Sequence, residues 1–131
     1  MTEHIPDLWP GDFGPLKVTP VAILREQAEF LTRKTEGIVR GAIHTTGAED
    51  GGFLHTFLVQ VPSLGGYTYG LFTVHHGLSF YPAKILSSPV SGDLTATSEA
   101  EFMDRLRQVL SAAPTQDVIN ALLSQAQTGA A

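Results

Sequence analysis

The sequence predicts an α+β fold: a two-layer sandwich in which an antiparallel sheet of three or four strands is preceded by one helix and followed by two, in the order α-β-β-β-(β)-α-α. Three observations carry this. Apolar residues recur with helical spacing near both ends of the chain, β-formers concentrate between them, and the spacers within that central stretch are of hairpin length. Consecutive hairpins flanked by helices define an α+β rather than a parallel α/β arrangement.

The first helix is announced by Thr19-Pro20. Threonine is a good N-cap, and proline at the first helical position lacks only an N–H that would be unpaired there. Leu24, Ala28 and Leu31 then recur on one side, with Arg25, Glu26, Glu29, Arg33 and Lys34 mostly on the other, until Gly37 ends a helix of about 17 residues. Strands follow at about 38–46, 53–61 and 67–76, separated by GAEDGG and PSLGG. A fourth, within 78–86, is an edge or bulged strand because Pro82 cannot donate to a ladder. Ser98 and Glu101 form a capping box for a second helix with Phe102, Leu106, Val109 and Leu110 on its apolar stripe. Pro114-Thr115 breaks and restarts the chain, and Val118, Ile119, Leu122 and Leu123 mark a third helix before a tail, 125–131, expected to fray.

Residues 1–18 form a different kind of segment. Pro6, Pro10 and Pro15, with Gly11 and Gly14 between them, exclude any regular element. The sole tryptophan, Trp9, lies in this arm, and the favoured expectation is an arm pinned by Leu8, Trp9 and Phe13 across the rim of the core.

A length of 131 residues suits a single domain, 1–131, able to bury a core without staples. The absence of cysteine excludes disulfides, Cys-ligated metal sites and a thiol nucleophile. No secretory signal pattern opens the sequence and no run approaches the roughly 18 apolar residues of a membrane span, so a cytoplasmic, soluble protein is expected. Eight Lys and Arg against thirteen Asp and Glu give a net charge of −5, which argues against nucleic acid and anionic membrane as partners. The order α-β-β-β-α is similar to that of the double-stranded-RNA-binding domain. That family begins its last helix with lysines, whereas the corresponding helix here begins Glu99, Ala100, Glu101, so the chemistry departs from the pattern and no family is assigned.

Charge is also unevenly placed. Between Gly37 and Gly92 only Arg40, Glu49, Asp50 and Lys84 are charged. The alternation along the second and third strands leaves neither sheet face clearly polar, so both faces are expected to be covered, either by helices divided between them or by helices on one face and a second copy of the chain on the other. A homodimer is the expected assembly.

Two candidate sites emerge. If the first hairpin turns about the middle of its GAEDGG spacer, His44 faces His55, and His75, or His76 after a one-residue slip, lies diagonal to His55 on the same face. Three imidazoles in one place are a known catalytic zinc arrangement, so His44, His55 and His75 are the candidate metal ligands of a small metal-assisted hydrolase or lyase. The competing reading of the same residues, favoured here, is that they are half-buried, hydrogen-bonded packing histidines or line a cavity. The second candidate is an aromatic ligand pocket of Phe53, Phe57, Tyr67, Tyr69, Phe80 and Tyr81. Glu49-Asp50 reads as a solvated hairpin tip, and no nucleophile motif is present. The favoured function is a non-enzymatic protein-interaction or regulatory module, self-associating, with no cofactor, acting through its aromatic sheet face or its proline-rich arm. Protonation of all five histidines would cancel the −5, so association and solubility are expected to change between about pH 7 and 5.5.

Overall fold

The computed structural model describes residues 4–129. Its elements are α1 (Pro20–Lys34), β1 (Arg40–Gly47), β2 (Phe53–Val61), a 3-10 turn (Pro62–Leu64), β3 (Tyr67–His76), β4 (Ala83–Leu86), β5 (Thr95–Ala96), α2 (Glu99–Ser111) and α3 (Ala113–Gly129). The five strands form one antiparallel sheet in sequence order. This is the expected α+β fold, with a fifth strand added.

The helix signals act as expected. The Thr19 hydroxyl accepts the Ala22 N–H at 3.2 Å and Pro20 opens α1. At the other end Thr35 makes the connection to the sheet: its hydroxyl donates to the Val39 carbonyl at 2.7 Å and accepts the Val39 N–H at 3.2 Å. Ser98 accepts the Glu101 N–H at 3.1 Å, but the Glu101 carboxylate reaches past the cap residue to the Thr97 N–H at 3.2 Å. The chain leaves α2 at Ala112, and Pro114 lies in the first turn of α3, where its missing N–H costs nothing. The end of α3 departs from expectation. It continues through 125–129, because Ala126 still meets the core and is 2% exposed; residues 130–131 of the expected tail lie outside the described residues.

The strand expected within 78–86 begins only at Ala83, after Pro82. Its partner β5 has two residues, too few to show any alternation in sequence, and exists because Ala83 and Lys84 pair with Ala96 and Thr95.

The core lies on one face of the sheet. Phe57, Val59 and Val61 of β2 point into it, the Phe57 ring stacks on Phe72 of β3 at 5.2 Å, and Leu24, Phe102, Leu106, Val109 and Leu122 close it from the helices. Helix α1 approaches β1 so closely that a Cβ on Gly41 would meet the Ala28 Cα at 2.6 Å; the Gly41 N–H is accepted by the Thr32 hydroxyl at 3.0 Å. Glycine there is a packing requirement. The other sheet face, with Leu54, Thr56, Leu58 and Gln60 of β2, is half-buried and carries none of the described helices.

The N-terminal arm differs from the pinned arm expected. Residues 5–16 are exposed throughout: Leu8 is 85%, Trp9 73%, Phe13 77% and Leu16 97% exposed. The Asp7 and Asp12 carboxylates shape it locally, accepting the Trp9 and Gly14 N–H groups at 3.0 Å each. The Trp9 and Phe13 rings meet edge to face, 5.7 Å apart, and not the core. No described helix is long and apolar enough to cross a membrane.

Candidate functional site

The histidine geometry is decided by two details of register. The first hairpin closes with Gly47 opposite Phe53 around a five-residue turn, so Thr45, not His44, faces His55. His44 faces Thr56 on the open side of the sheet. In the second hairpin the pairing near the turn follows the spacing expected, but a bulge inserts Leu71 into β3 between the Phe57–Phe72 and Leu58–Gly70 pairs. Beyond the bulge every β3 residue is displaced by one. His76 thereby takes the position diagonal to His55 on the core face, and His75 turns to the open face.

His44, His55 and His75 are therefore not brought together. His75 Nε2 instead meets the Asp50 carboxylate at 2.9 Å, tying the tip of the first hairpin to β3. Asp50 sits below the usual carboxylate range, chiefly because it accepts the Gly52 N–H and also because His75 lies beside it. Among the described residues no group of three or more His, Asp or Glu is placed to share a metal ion.

What the fold does build is a buried pair, His55 and His76, with Nε2 atoms 2.8 Å apart. They are 3% and 4% exposed. Their outer nitrogens are also engaged: His76 Nδ1 reaches the Gly77 carbonyl at 2.6 Å and His55 Nδ1 the Thr45 hydroxyl at 2.8 Å. A carbonyl only accepts, so His76 Nδ1 carries its hydrogen. In the uncharged pair His76 Nε2 then accepts, His55 Nε2 donates, and Thr45 donates to His55 Nδ1. One directed chain of hydrogen bonds thus links β1, β2, β3 and the turn after it.

Burial, and secondarily the neighbouring His76 and Arg25, push His55 down to about 4. The hydroxyl–imidazole–imidazole order has the layout of a nucleophile, base and orienting group. A base held near 4 takes few protons at neutral pH, however. Every ring nitrogen is satisfied, and the chain of bonds serves as a clasp.

Over the clasp lies an apolar hollow of 230 Å³, walled by Phe53 and Phe80 and roofed by Thr19, Val21 and Arg25 at the start of α1. Phe80 adopts φ 74, uncommon for an aromatic residue. Its N–H is bound to the Gly77 carbonyl at 3.2 Å and its ring stands edge-on to His76 at 6.1 Å. The six aromatic pocket candidates divide. Phe53 and Phe80 line this hollow; Phe57 is buried in the core; Tyr67 and Tyr69 stand exposed near the 3-10 turn; Tyr81 packs on Phe102 at 6.3 Å.

A larger depression, which the sequence did not lead us to expect, runs between α1 and the C-terminal helices. One part, 430 Å³, is lined by Phe30, Leu31, Phe57, Leu71, Leu110 and Ile119. An adjoining part, 510 Å³, includes Ile23, Met103 and Leu106, and both parts share Gln27, Lys34, Leu110 and Gln116. Helical periodicity could mark Leu31, Leu110 and Ile119 as apolar, but not that the helices carrying them would stand apart.

No family model, curated protein or solved structure matches this chain.

Proposed function

We propose that the protein is a non-enzymatic protein-interaction module whose recognition element is the N-terminal arm. The observation that carries this reading is the exposure of Ile5, Leu8, Trp9, Phe13 and Leu16, all between 73% and 97%, on a segment stiffened by Pro6, Pro10 and Pro15. Large apolar side chains left in water over 12 residues are unfavourable in an isolated chain and favourable once a partner covers them. Prolines reduce the freedom the arm would lose on docking, and Trp and Phe are the anchors that protein interfaces use most effectively.

The test is a photo-crosslinking residue at position 9 of the full chain, expressed in cells, with the same residue at exposed Glu29 as control. The expected result is a discrete protein adduct from position 9 and none from position 29. Equal, diffuse labelling from both positions would refute the reading.

A further inference from the structure

We propose that the arm of one copy docks in the depression between α1 and the C-terminal helices of a second copy, two reciprocal arms making a twofold dimer. This rests on the reading of the arm as the recognition element, and it names the partner. The molecule carries two complementary features: an exposed apolar segment, and a depression lined largely by apolar side chains. Their charges match. Asp7 and Asp12 bracket Trp9 and precede Phe13, while the charged residues of the depression are Lys34, which lines both parts and forms no ion pair within 4 Å among the described residues, Arg107, which pairs with Asp104, and a single acid, Glu26, so basic groups outnumber acidic ones there.

The sizes also match. Trp9 and Phe13 supply about 300–500 Å² when buried. Two arms double that, and Ile5, Leu8 and Leu16 on each bring the total to the roughly 1,200 Å² at which specific interfaces become stable. The occupant is a second copy because the single chain, with both features present, leaves them apart, and because prolines at four- to five-residue intervals favour an arm that projects over one that folds back along its own helix. Reciprocal exchange closes at two chains, so it does not propagate into fibres.

Two double variants test it without touching the core. Trp9→Ala/Phe13→Ala removes the anchors, and Phe30→Glu/Met103→Glu places charge on the two walls of the depression at residues 41% and 42% exposed. Sedimentation equilibrium at micromolar concentration should return a dimer for the unaltered chain and at least a tenfold weaker one for either variant, with circular dichroism unchanged. A mixture of the two variants should associate as a heterodimer more tightly than either variant with itself but more weakly than the unaltered chain, since one intact arm meets one intact depression and the second contact stays broken. A dimer that survives in either variant would overturn the proposal, as would a monomer whose Trp9 emission shifts to the red in Phe30→Glu/Met103→Glu, which would put the arm in its own depression. A monomeric unaltered chain whose position-9 crosslink is to a different protein would also overturn it while leaving the interaction reading standing.

Discussion

His55 and His76 occupy diagonal positions on β2 and β3 and face each other through their Nε2 atoms at 2.8 Å, both almost fully buried. Two imidazoles in this geometry share one hydrogen comfortably and two poorly, so proton uptake there opposes folding.

The sign of the pH dependence follows. His55 titrates near 4 in the folded chain and near 6.5 when unfolded, so between these values the unfolded state binds the extra proton. The stabilisation is fully present above about pH 6.5 and is lost as pH falls towards 4. The loss totals about 3 kcal/mol, since each tenfold difference in proton affinity between the two states is worth about 1.4 kcal/mol. Urea unfolding from pH 7 to pH 4 should show this loss, and His55→Gln should flatten the profile in that window. The expectation that all five histidines charge between pH 7 and 5.5 fails at His55, which stays neutral through that range.

Thr45 supplies the hydrogen bond that terminates the clasp. Thr45→Val preserves the shape and removes the donor, leaving the His55 acceptor unpaired. A loss of about 1–2 kcal/mol is expected in denaturant unfolding, and Thr45→Ser should restore most of it. Equal stability of the Val and Ser variants would show that the bond contributes nothing.

At Gly41 the cost comes from space. A Cβ would lie 2.6 Å from the Ala28 Cα and 2.7 Å from its carbonyl oxygen, both backbone atoms that cannot rotate away. Gly41→Ala should therefore push α1 off β1 and lower stability by about 3 kcal/mol. Ala28→Gly should not rescue it, because the clashing backbone atoms remain. A thermal melt unchanged by Gly41→Ala would contradict the close approach.

Tyr81 gives the opposite expectation. Its hydroxyl is buried without a hydrogen-bond partner among the described residues, and burial pushes its pKa up. Tyr81→Phe keeps the contact with Phe102 and discards the unpaired group, so it should be neutral or stabilising by about 1 kcal/mol. A destabilised Phe variant would mean that the hydroxyl has a partner in solution.

The particular residues show why some features were legible in the sequence and others were not. Thr19-Pro20, Ser98 and the alternation of β2 and β3 are local signals with local causes, and they set these element bounds closely. β5 has no local signal, since only pairing with β4 makes it a strand. The site failed on parity. Side chains alternate with period two, so a turn centred half a residue away sent His44 to the open face, and one bulge at Leu71 exchanged His75 for His76. His76 was within reach only as the product of a one-residue slip, and the one local signal for the bulge is Gly70, a lone glycine inside the β3 pattern next to Leu71. The helix patterns likewise marked which faces are apolar but not the spacing between α1 and α2, from which the depression arises.

An exposed arm has one more consequence, for the lifetime of the module. Lys17 is the only Lys or Arg among residues 1–18 and is solvent-exposed, two residues before the α1 cap Thr19. Trypsin-like cleavage after it severs every apolar anchor of the arm in a single cut while leaving Thr19, Pro20 and the folded body intact. On the proposed reading, recognition by the arm is thus open to irreversible shut-off by a protease that never has to unfold its substrate.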